Sequence, residues 1–524
     1  MYRLLILLLC FPWYLSSQKN VVLIIADDLG KDYCGFYSTA TDTARMPNIR
    51  SLASKGLIFT NAWANPVCSP TRASMLTGRY GFRLGVGNAI DNTSSQSLDT
   101  AEYSIPKVLK LLSPKGYKTA NIGKWHINTS SAASLKYPTT KFGYDVYSGP
   151  FIGALPDFYN YTSIRNGVSE TISTYATTQN VNDAIAWFNT VGSSPFFLWL
   201  AFNAPHTPYH KPPDSLITYT GLTGTTAHIN ANKSLYFKAS VEALDKEVGR
   251  LIAHLKAINK LDSTVFVFMG DNGNAKEVSQ ISDLTHSKGT VYQYGVNIPL
   301  VISGPDVVSG VNNELVGTID LFSTILNLCG VSSFPSAVNT NLIVDSRDLS
   351  PYLRGSKPLI RSYAYTEVFS TPAQTSDALA IRGSDYKLIR WSNGNEEFYN
   401  VSSDINESND ILKGTLSSTE KTKYDELCAE LYRLRGTNLC KSYSHISDSR
   451  LYEIDMAYSH NTLHLRSSLG IRSVAIYNVW GQQIQSVSFE NVTNTELPMN
   501  LSQGIYLVQI QTQTGWITKK IFAE

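Results

Sequence analysis

Charge is scarce in this chain. Only 16% of its 524 residues are Asp, Glu, Lys or Arg, and the formal net charge is +2. Binding to nucleic acid usually requires a strongly basic surface, so this composition gives no electrostatic support for nucleic acid as a partner. The sequence also lacks internal repeats and low-complexity tracts. After the first residues, no apolar run reaches the length that crosses a bilayer, which argues against a transmembrane segment.

Cysteine is also rare, with six in the chain. Cys10 lies in "MYRLLILLLCFPWYLSSQ", where one Arg, an apolar run and small polar residues predict a secretory signal peptide over residues 1–18. Removal of this peptide leaves an odd number of cysteines, so at least one has no partner within the chain. Cys428 and Cys440 flank a short segment and are candidates for a disulfide. Of the other three cysteines, Cys68 is the one with a motif around it.

Apolar runs alternate with amphipathic segments from residue 20 to about 340. The segment 234–260 has apolar residues at helical spacing. We therefore expect a layered α/β domain over residues 19–345, with a large, mainly parallel sheet between helices. Four apolar runs are predicted to be its buried strands: "VVLIIA" (21–26), "FFLWLAF" (196–202), "TVFVFM" (264–269) and "PLVIS" (299–303).

Two smaller regions follow this domain. Residues 378–401 resemble antiparallel strands joined by a Gly-Asn turn, and the helix that follows them should end at Gly436. This pattern predicts an α+β subdomain over residues 346–443. Residues 454–524 alternate strand-like runs with turns, which is typical of a small β-sandwich.

Two predicted strands end in paired oxygen ligands. Asp27 and Asp28 follow the first strand, and Asp271 and Asn272 follow the third. In open α/β sheets, ligands bind beyond the carboxyl ends of the strands. Three carboxylates and an amide oxygen suit Ca²⁺ best and Mg²⁺ second, although acidic residues also end strands without any metal.

Cys68 is predicted to lie at the N-terminus of a short helix. Ser69 can cap this helix, Pro70 suits its first position, and Gly78 would end it. The helix dipole favours an anion at such an end, and Arg72 adds a fork of donors for an oxyanion. From these features alone, Cys68 could be a reactive thiolate of low pKa, or else a buried or bridged cysteine.

The spacing "CSPTR" followed by "LTGRY" resembles the signature of the formylglycine-dependent sulfatases of the alkaline phosphatase superfamily. The resemblance extends over most of residues 20 to about 440. It implies that a formylglycine-generating maturation enzyme oxidises Cys68 to Cα-formylglycine, also called 3-oxoalanine. Further matching segments are "ADDLG" (26–30), "GKWH" (123–126), "PHTPYHKP" (205–212), "GDNG" (270–273) and "TIDLFSTILNLCGV" (318–331).

The resemblance also implies roles for individual residues. Arg72 and Lys124 would hold the formylglycine hydrate, and His126 would handle its proton. Because "NIGKWH" reads as extended, the side chains of Lys124 and His126 should project to the same side. His206 would be the general acid and Lys288 the sulfate-binding lysine. The implied metal ligands are Asp27, Asp28, Asp271, Asn272 and the modified Cys68.

The resemblance implies an exported sulfatase that hydrolyses sulfate monoesters on a sulfated polysaccharide or its oligosaccharides. Ulvan, carrageenan, fucoidan and animal glycosaminoglycans all stay open as substrates. Many family members carry a Glu-Gly-Gly-x-Arg run where this chain has "QYGVN" (293–297), so no particular substrate can be carried over. Two alternatives are a phosphodiesterase or phosphonate monoester hydrolase of the same superfamily, and a catalytically dead glycan-binding protein.

The C-terminal region has a resemblance of its own. The segments "VAIYNVWGQQIQ" and "LSQGIYLVQIQTQTGWITKKIF" resemble the sorting domains of the type IX secretion system. Such a domain implies that the secretion machinery is a partner and that the protein reaches the medium or the outer cell surface. A generic β-sandwich that binds carbohydrate is the alternative.

Overall fold

A computed structural model describes residues 19–334, 336–337, 342–441, 454–459, 461–479, 481–512 and 515–523. The predicted signal peptide, residues 1–18, lies outside these ranges. The chain separates into two compact units, and the division falls between Cys440 and Lys441. The boundaries predicted at residues 345 and 443 stay predictions.

A ten-stranded mixed sheet forms the centre of the first unit. Its spatial order is β10-β2-β9-β8-β1-β7-β3-β4-β5-β6. The strands are β1 (Asn20–Ala26), β2 (Leu57–Trp63), β3 (Lys118–Gly123), β4 (Val146–Gly149), β5 (Tyr161–Arg165), β6 (Val168–Ile172), β7 (Phe196–Ala201), β8 (Thr264–Gly270), β9 (Leu300–Ser303) and β10 (Gly310–Gly317).

Strand β1 lies in the middle of this sheet, and all seven of its residues are buried. It pairs in parallel with β7 on one side and β8 on the other. Val21, Leu23 and Ile25 pack into one core, while Val22 and Ile24 pack into another. Because successive side chains point to opposite faces, a continuous apolar run is what a strand covered on both faces requires.

Helices cover both faces of the sheet. The first core receives side chains from α2, α4 and α10, and the second receives them from α1, α6 and α8. The helices of the first unit are α1 (Pro47–Lys55), α2 (Cys68–Thr77), α3 (Gly81–Leu84), α4 (Ile105–Leu112), α5 (Tyr137–Thr140), α6 (Ala176–Val191), α7 (Thr226–Ala231), α8 (Lys233–Ala257), α9 (Gln293–Val296), α10 (Leu321–Leu328), α11 (Ser350–Leu353) and α12 (Ser418–Arg435). This arrangement confirms the layered α/β prediction.

The strand near residues 299–303 differs from its neighbours in direction. Strand β9 runs antiparallel to both β2 and β8, whereas the runs at 21–26, 196–202 and 264–269 form parallel strands. A buried apolar run indicates a strand without specifying its direction, so the sequence could not distinguish the two cases. Among the helices of the described residues, none has the length and apolar character needed to cross a membrane.

A smaller antiparallel sheet follows within the first unit, in the order β11-β12-β13-β14. Strands β13 and β14 are joined by a turn that contains Gly394, as the Gly-Asn signal predicted. Helix α12 packs on this sheet and ends at Gly436, which has a left-handed backbone. The strands are β11 (Ala364–Val368), β12 (Ala378–Arg382), β13 (Tyr386–Trp391) and β14 (Glu396–Asn400).

The second unit is an antiparallel β structure with its own apolar core. Its strands pair in the order β15-β16-β18-β19, and β17 pairs with β16. They are β15 (Ile454–Ser459), β16 (Thr462–Asn478), β17 (Gln483–Pro498), β18 (Gly504–Thr512) and β19 (Gly515–Ala523). The predicted all-β character of this region is therefore present.

Cys428 and Cys440 form a disulfide that ties α12 to the chain after it. Replacing both residues by Ser should lower the free energy of unfolding by about 2–3 kcal/mol, because the bond closes a loop with a sequence separation of 12 and restricts the unfolded chain. Denaturant unfolding followed by near-ultraviolet circular dichroism measures this change. Reductant should shift the wild-type midpoint to that of the double variant and leave the variant unchanged; equal midpoints without reductant would contradict the prediction.

Candidate active site

The two acidic pairs meet at the carboxyl ends of β1 and β8. Ala26 and Gly270 are opposite each other in the parallel register, so the residues that follow them emerge side by side. The backbone N–H of Asp28 donates to Asp271 Oδ1 at 3.1 Å, and Asn272 Nδ2 donates to Asp28 Oδ1 at 2.8 Å. Asp28 has a φ of 65°, and this left-handed turn brings its side chain to the same site as that of Asp27.

Each of the three carboxylates is paired with a different cation. Lys124 Nζ donates to Asp27 Oδ2, Lys288 Nζ lies 2.6 Å from Asp28 Oδ1, and Arg72 Nη2 lies 2.7 Å from Asp271 Oδ2. Asp27, Asp271, Arg72 and Lys124 are fully buried. A buried charge is tolerated only when it is paired and hydrogen-bonded, so these pairs make the cluster compatible with the interior.

Two oxygens in this cluster lack hydrogen-bond partners. Among the side chains that the structure describes, Asp27 Oδ1 and Asn272 Oδ1 are buried polar atoms of this kind. Arg72 Nη2 lies 3.7 Å from Asp27 Oδ1, too far for a hydrogen bond. Ligand atoms of Asp27, Cys68 and Asp271 also lie within 4.8 Å of one another. Unsatisfied hard oxygens at this spacing fit a divalent cation.

Helix α2 places Cys68 at this site, but the helix begins earlier than the sequence indicated. Cys68 is its first residue, and Val67 precedes it without a side-chain cap. The prediction that Ser69 caps the helix and Pro70 takes its first position was therefore wrong. The Ser69 hydroxyl instead accepts a hydrogen bond from the backbone N–H of Ile90 at 3.0 Å. Gly78 ends the helix with a left-handed backbone, as predicted.

The guanidinium of Arg72 is directed at protein groups. Its Nε and Nη2 both donate to Asp271 Oδ2, at 3.0 and 2.7 Å, and its Nη1 donates to the carbonyl of Lys124 at 3.1 Å. Arg72 therefore links α2 to the ends of β8 and β3. The donor fork that the sequence assigned to an oxyanion positions Asp271 in this structure.

His126 contacts Cys68 directly. Its Nδ1 lies 3.2 Å from Cys68 Sγ, and its Nε2 lies 2.7 Å from the carbonyl of Ile90. Because a carbonyl can only accept, Nε2 carries the proton and Nδ1 is free to accept one from residue 68. The prediction of an extended segment was wrong beyond Gly123, where β3 ends, because His126 has a φ of 60°. Lys124 and His126 nevertheless reach the same site.

The thiol of Cys68 is poorly suited to act as a nucleophile itself. Its residue is only 2% exposed, and burial raises the pKa of the Cys68 thiol despite the nearby ammonium of Lys124. This direction argues against the alternative of a thiolate with a low pKa. Burial, together with the charges of Lys124 and Arg72, also lowers the pKa of His126 well below its usual range, which keeps the imidazole neutral.

His206 and Lys288 complete the cluster from two further segments. His206 Nδ1 lies 2.8 Å from the carbonyl of Thr207, so Nδ1 is protonated and Nε2 faces Asp28 Oδ2 at 3.6 Å. Lys288 is also largely buried; burial alone would lower its pKa, but the charge of Asp28, the hydrogen bond to it and the nearby Cys68 and Asp27 together outweigh this effect and raise the pKa. All ten residues predicted from the sequence therefore meet at one site, and their individual roles stay predictions.

Four other histidines pack against aromatic side chains, and these contacts explain their positions without a catalytic role. His210 stacks on Phe158 with ring centroids 3.9 Å apart, and its Nε2 is 3.0 Å from the hydroxyl of Tyr175. His286 stacks on Tyr292. The other two pack against aromatic rings: His228 on Tyr236 and His254 on Phe188.

The sequence analysis missed several groups near the site. The carbonyl of Ile90 fixes the His126 tautomer, and a backbone atom leaves no trace in residue type. A Cβ added at Gly153 would lie 2.7 Å from His126 Cε1, so a side chain there would displace the imidazole. In the described part of the chain, the buried atoms Asn203 Oδ1 and Tyr209 Oη have no hydrogen-bond partner. Both residues flank His206, and that proximity is the signal that could have found them.

Comparisons with known proteins identify three matching regions. The sulfatase family profile matches residues 19–331, which is more than half of the chain. A profile described as N-sulphoglucosamine sulphohydrolase, C-terminal, matches residues 285–435. A secretion system C-terminal sorting domain matches residues 458–524.

Individual relatives agree with these profiles. The chain is 27% identical to N-acetylgalactosamine-6-sulfatase of Mus musculus over 416 residues, which covers 73% of this chain and 74% of the relative. It is 29% identical to arylsulfatase A of Homo sapiens over 427 residues, covering 75% and 78%. The crystal structure of Ps i-CgsB in complex with k-i-k-neocarrahexaose aligns with a TM-score of 0.67 and 25% identity, covering 80% of this chain and 92% of that one.

The resemblance predicted from the sequence is thus confirmed for both regions of the chain. A type IX sorting domain indicates that the protein is exported. The chain belongs to the sulfatase family, the enzymes that hydrolyse sulfate esters.

Proposed function

We propose that the matured enzyme hydrolyses sulfate monoesters on a sulfated carbohydrate, with a formylglycine made from Cys68. One observation carries this proposal: residue 68 and His126 lie in a buried pocket that also contains three cations and three carboxylates. A free thiol in this position would be protonated, because burial raises the pKa of Cys68. Conversion of this side chain to an aldehyde hydrate would provide what the thiol lacks: one hydroxyl to attack sulfur, and a second whose deprotonation expels the sulfated oxygen as sulfate and restores the aldehyde.

The metal in this proposal is Ca²⁺. Asp27, Asp28, Asp271 and Asn272 offer only oxygen atoms, which hard cations prefer, and Mg²⁺ would need stricter octahedral geometry. A bound divalent cation would neutralise charge on the sulfate oxygens and polarise the bond to be broken. Asp27 Oδ1 and Asn272 Oδ1 support this assignment, because both need a partner that the described side chains do not supply.

The balance of charge in the pocket supports an anionic substrate. The three carboxylates and the three cations cancel one another, so a divalent cation leaves the pocket positive. A sulfate monoester carries one negative charge and would compensate part of that excess. We assign Lys288 to binding of the sulfate group, and Lys124 and Arg72 to holding the modified residue 68 and its surrounding carboxylates.

Two histidines are placed for the two proton transfers. His126 Nδ1 is the acceptor beside residue 68 and would take a proton from its hydroxyl. His206 in its protonated form would donate the Nε2 proton to the sugar oxygen as the bond from that oxygen to sulfur breaks. Asp28 Oδ2 lies 3.6 Å from His206 Nε2, so a carboxylate faces the nitrogen that would carry this proton.

The substrate class rests on the relatives and on export. Relatives of this chain include a sulfatase named for N-acetylgalactosamine, and the structural neighbour was crystallised with neocarrahexaose. The sorting domain takes the enzyme out of the cell, where sulfated polysaccharides are found. We therefore infer that a sulfated polysaccharide or its fragments is the substrate; algal ulvan, carrageenan or fucoidan and animal glycosaminoglycans all fit. A formylglycine-generating enzyme and the type IX machinery would be its partners.

Maturation of Cys68 is the first test of this proposal. Active protein should yield a peptide spanning residue 68 with the mass loss of thiol-to-aldehyde conversion, measured by mass spectrometry after proteolysis. Cys68→Ala should release no sulfate from any ester, because it offers no hydroxyl to attack sulfur. Its circular dichroism should match that of wild type, which separates loss of chemistry from unfolding. Full activity in protein with unmodified Cys68 would refute the assignment.

His206→Gln tests the general acid through the leaving group. The variant should lose about a hundredfold to ten-thousandfold in kcat/KM on a sugar sulfate, whose alkoxide leaves poorly without a proton. It should lose far less on 4-nitrophenyl sulfate, because a nitrophenolate leaves unprotonated. His210→Gln is the matched control, since this histidine sits in the same loop without contacting the cluster. Equal losses on both esters would assign His206 to binding instead.

Calcium binding can be measured independently of activity. Calorimetric titration of chelator-treated protein should show saturable Ca²⁺ binding and weaker Mg²⁺ binding. Asn272→Ala should weaken Ca²⁺ affinity at least about tenfold, because it removes an oxygen aimed into the site. Asn121→Ala is the matched control: Asn121 Oδ1 is also buried without a partner among the described residues, but it lies within β3. Unchanged affinity in Asn272→Ala would contradict the proposed ligand set.

A further inference from the structure

A second cavity lies outside the site built around Cys68. Its volume is about 310 Å³, and none of the ten predicted site residues lines it. It is formed by the loop after β1, by β2, by the segment before β9 and by residues of the second sheet and the loop after that sheet. The lining residues that matter here are Lys31, Tyr37, Thr60, Asn61, Asn297 and Arg382.

Arg382 is a buried guanidinium without a carboxylate partner. It is only 5% exposed, and its Nη2 donates to the carbonyl of Ser384 at 3.2 Å. Its Nε and Nη1 have no hydrogen-bond partner within the ranges that the structure describes. Glu407 is close enough to influence Arg382, but its oxygens accept from Lys387 and from the backbone N–H of Gln293. Burying a cation without hydrogen-bond partners is costly, and a bound anion would offset this cost.

Lys31 adds a second cation to the same cavity. Its Nζ donates to the carbonyl of Thr60 at 2.6 Å and lies 3.4 Å from Asn297 Oδ1, and both acceptors are neutral. Burial and the charge of Arg382 lower the pKa of Lys31 to about 8. Neither cation forms an ion pair with a carboxylate of the described residues. Glu407 and Asp385 offset part of the charge of Arg382 without forming an ion pair with it. The two neighbouring positive charges therefore still favour an oxyanion between them.

We propose that this cavity is a second anion site, which binds a carboxylate or sulfate group carried on a body of monosaccharide size. The guanidinium of Arg382 and the ammonium of Lys31 would hold the oxyanion. Tyr37 and the rim residues Val311 and Ile405 supply apolar surface, and Asn61 supplies polar atoms for the rest of the ligand. At about 310 Å³ the cavity is at the lower end of the range for small-molecule pockets, roughly 300–1,000 Å³. This inference does not depend on the proposed function, because it concerns binding away from Cys68.

Thermal unfolding in the presence of anions tests this site in the full chain. Inorganic sulfate and glucuronate, each titrated at constant ionic strength, should raise the wild-type midpoint with the logarithm of anion concentration once that concentration exceeds the dissociation constant. Arg382→Gln and Lys31→Gln should each weaken the apparent affinity about tenfold or more, because each removes a charged hydrogen bond to the anion. The response to glucuronate alone, to sulfate alone or to both identifies whether carboxylates, sulfates or either group binds; any of the three supports the site.

Two controls separate this cavity from the site around Cys68. Lys288→Gln should keep the response that depends on Arg382 and Lys31, since Lys288 does not line the cavity; any part of the sulfate response that it loses belongs to the catalytic cluster. Arg390→Gln on the neighbouring strand β13 should also keep it, because Arg390 already pairs with Glu396. A response that survives in Arg382→Gln and Lys31→Gln but disappears in Lys288→Gln would place the anion at the catalytic cluster and overturn the proposal. An unchanged wild-type midpoint with both anions would overturn it as well, and Lys31→Gln decides the question if Arg382→Gln fails to fold.

Discussion

The paired charges at the ends of β1 and β8 are the constraint on which the site depends. Three carboxylates leave water there, and each one is held by a cation from a different segment: Arg72 from α2, Lys124 after β3 and Lys288 before α9. Removing one partner of such a buried pair costs about 3–5 kcal/mol, because the other charge is left uncompensated. The same pairs that make the cluster chemically capable therefore also hold five segments of the chain together.

The sequence was most informative about the buried strands and the acidic residues that follow them. Continuous apolar runs of this length are typical of strands covered on both faces, and acidic residues directly after two of them indicated a shared site at the strand ends. That much of the sheet and of the cluster was predictable. The direction of β9 was not, because an apolar run looks the same in both directions. The direction of a strand depends on its partners across the sheet.

The finer geometry of the site follows from contacts that residue types do not encode. His126 reaches Cys68 because its backbone is left-handed and because the carbonyl of Ile90 holds its other nitrogen. The sequence suggested Ser69 as a helix cap, yet its hydroxyl is used by Ile90, so the competing tertiary contact outweighed the local preference. The sequence likewise gives no signal for Arg382 and Lys31. Their importance comes from the absence of an ion pair with a carboxylate of the described residues, which residue type does not reveal.

The burial of Cys68 has a consequence for the order of events in the life of this protein. An oxidising enzyme has to bind the residue it converts in its own active site. A side chain that is 2% exposed at the first turn of a buried helix is not accessible to such an enzyme. Under the proposed maturation, the conversion therefore precedes closure of the sheet, while the chain is still open. Under the same proposal, a molecule that folds before conversion stays inactive, so the rate of folding would set what fraction of the secreted protein can become active.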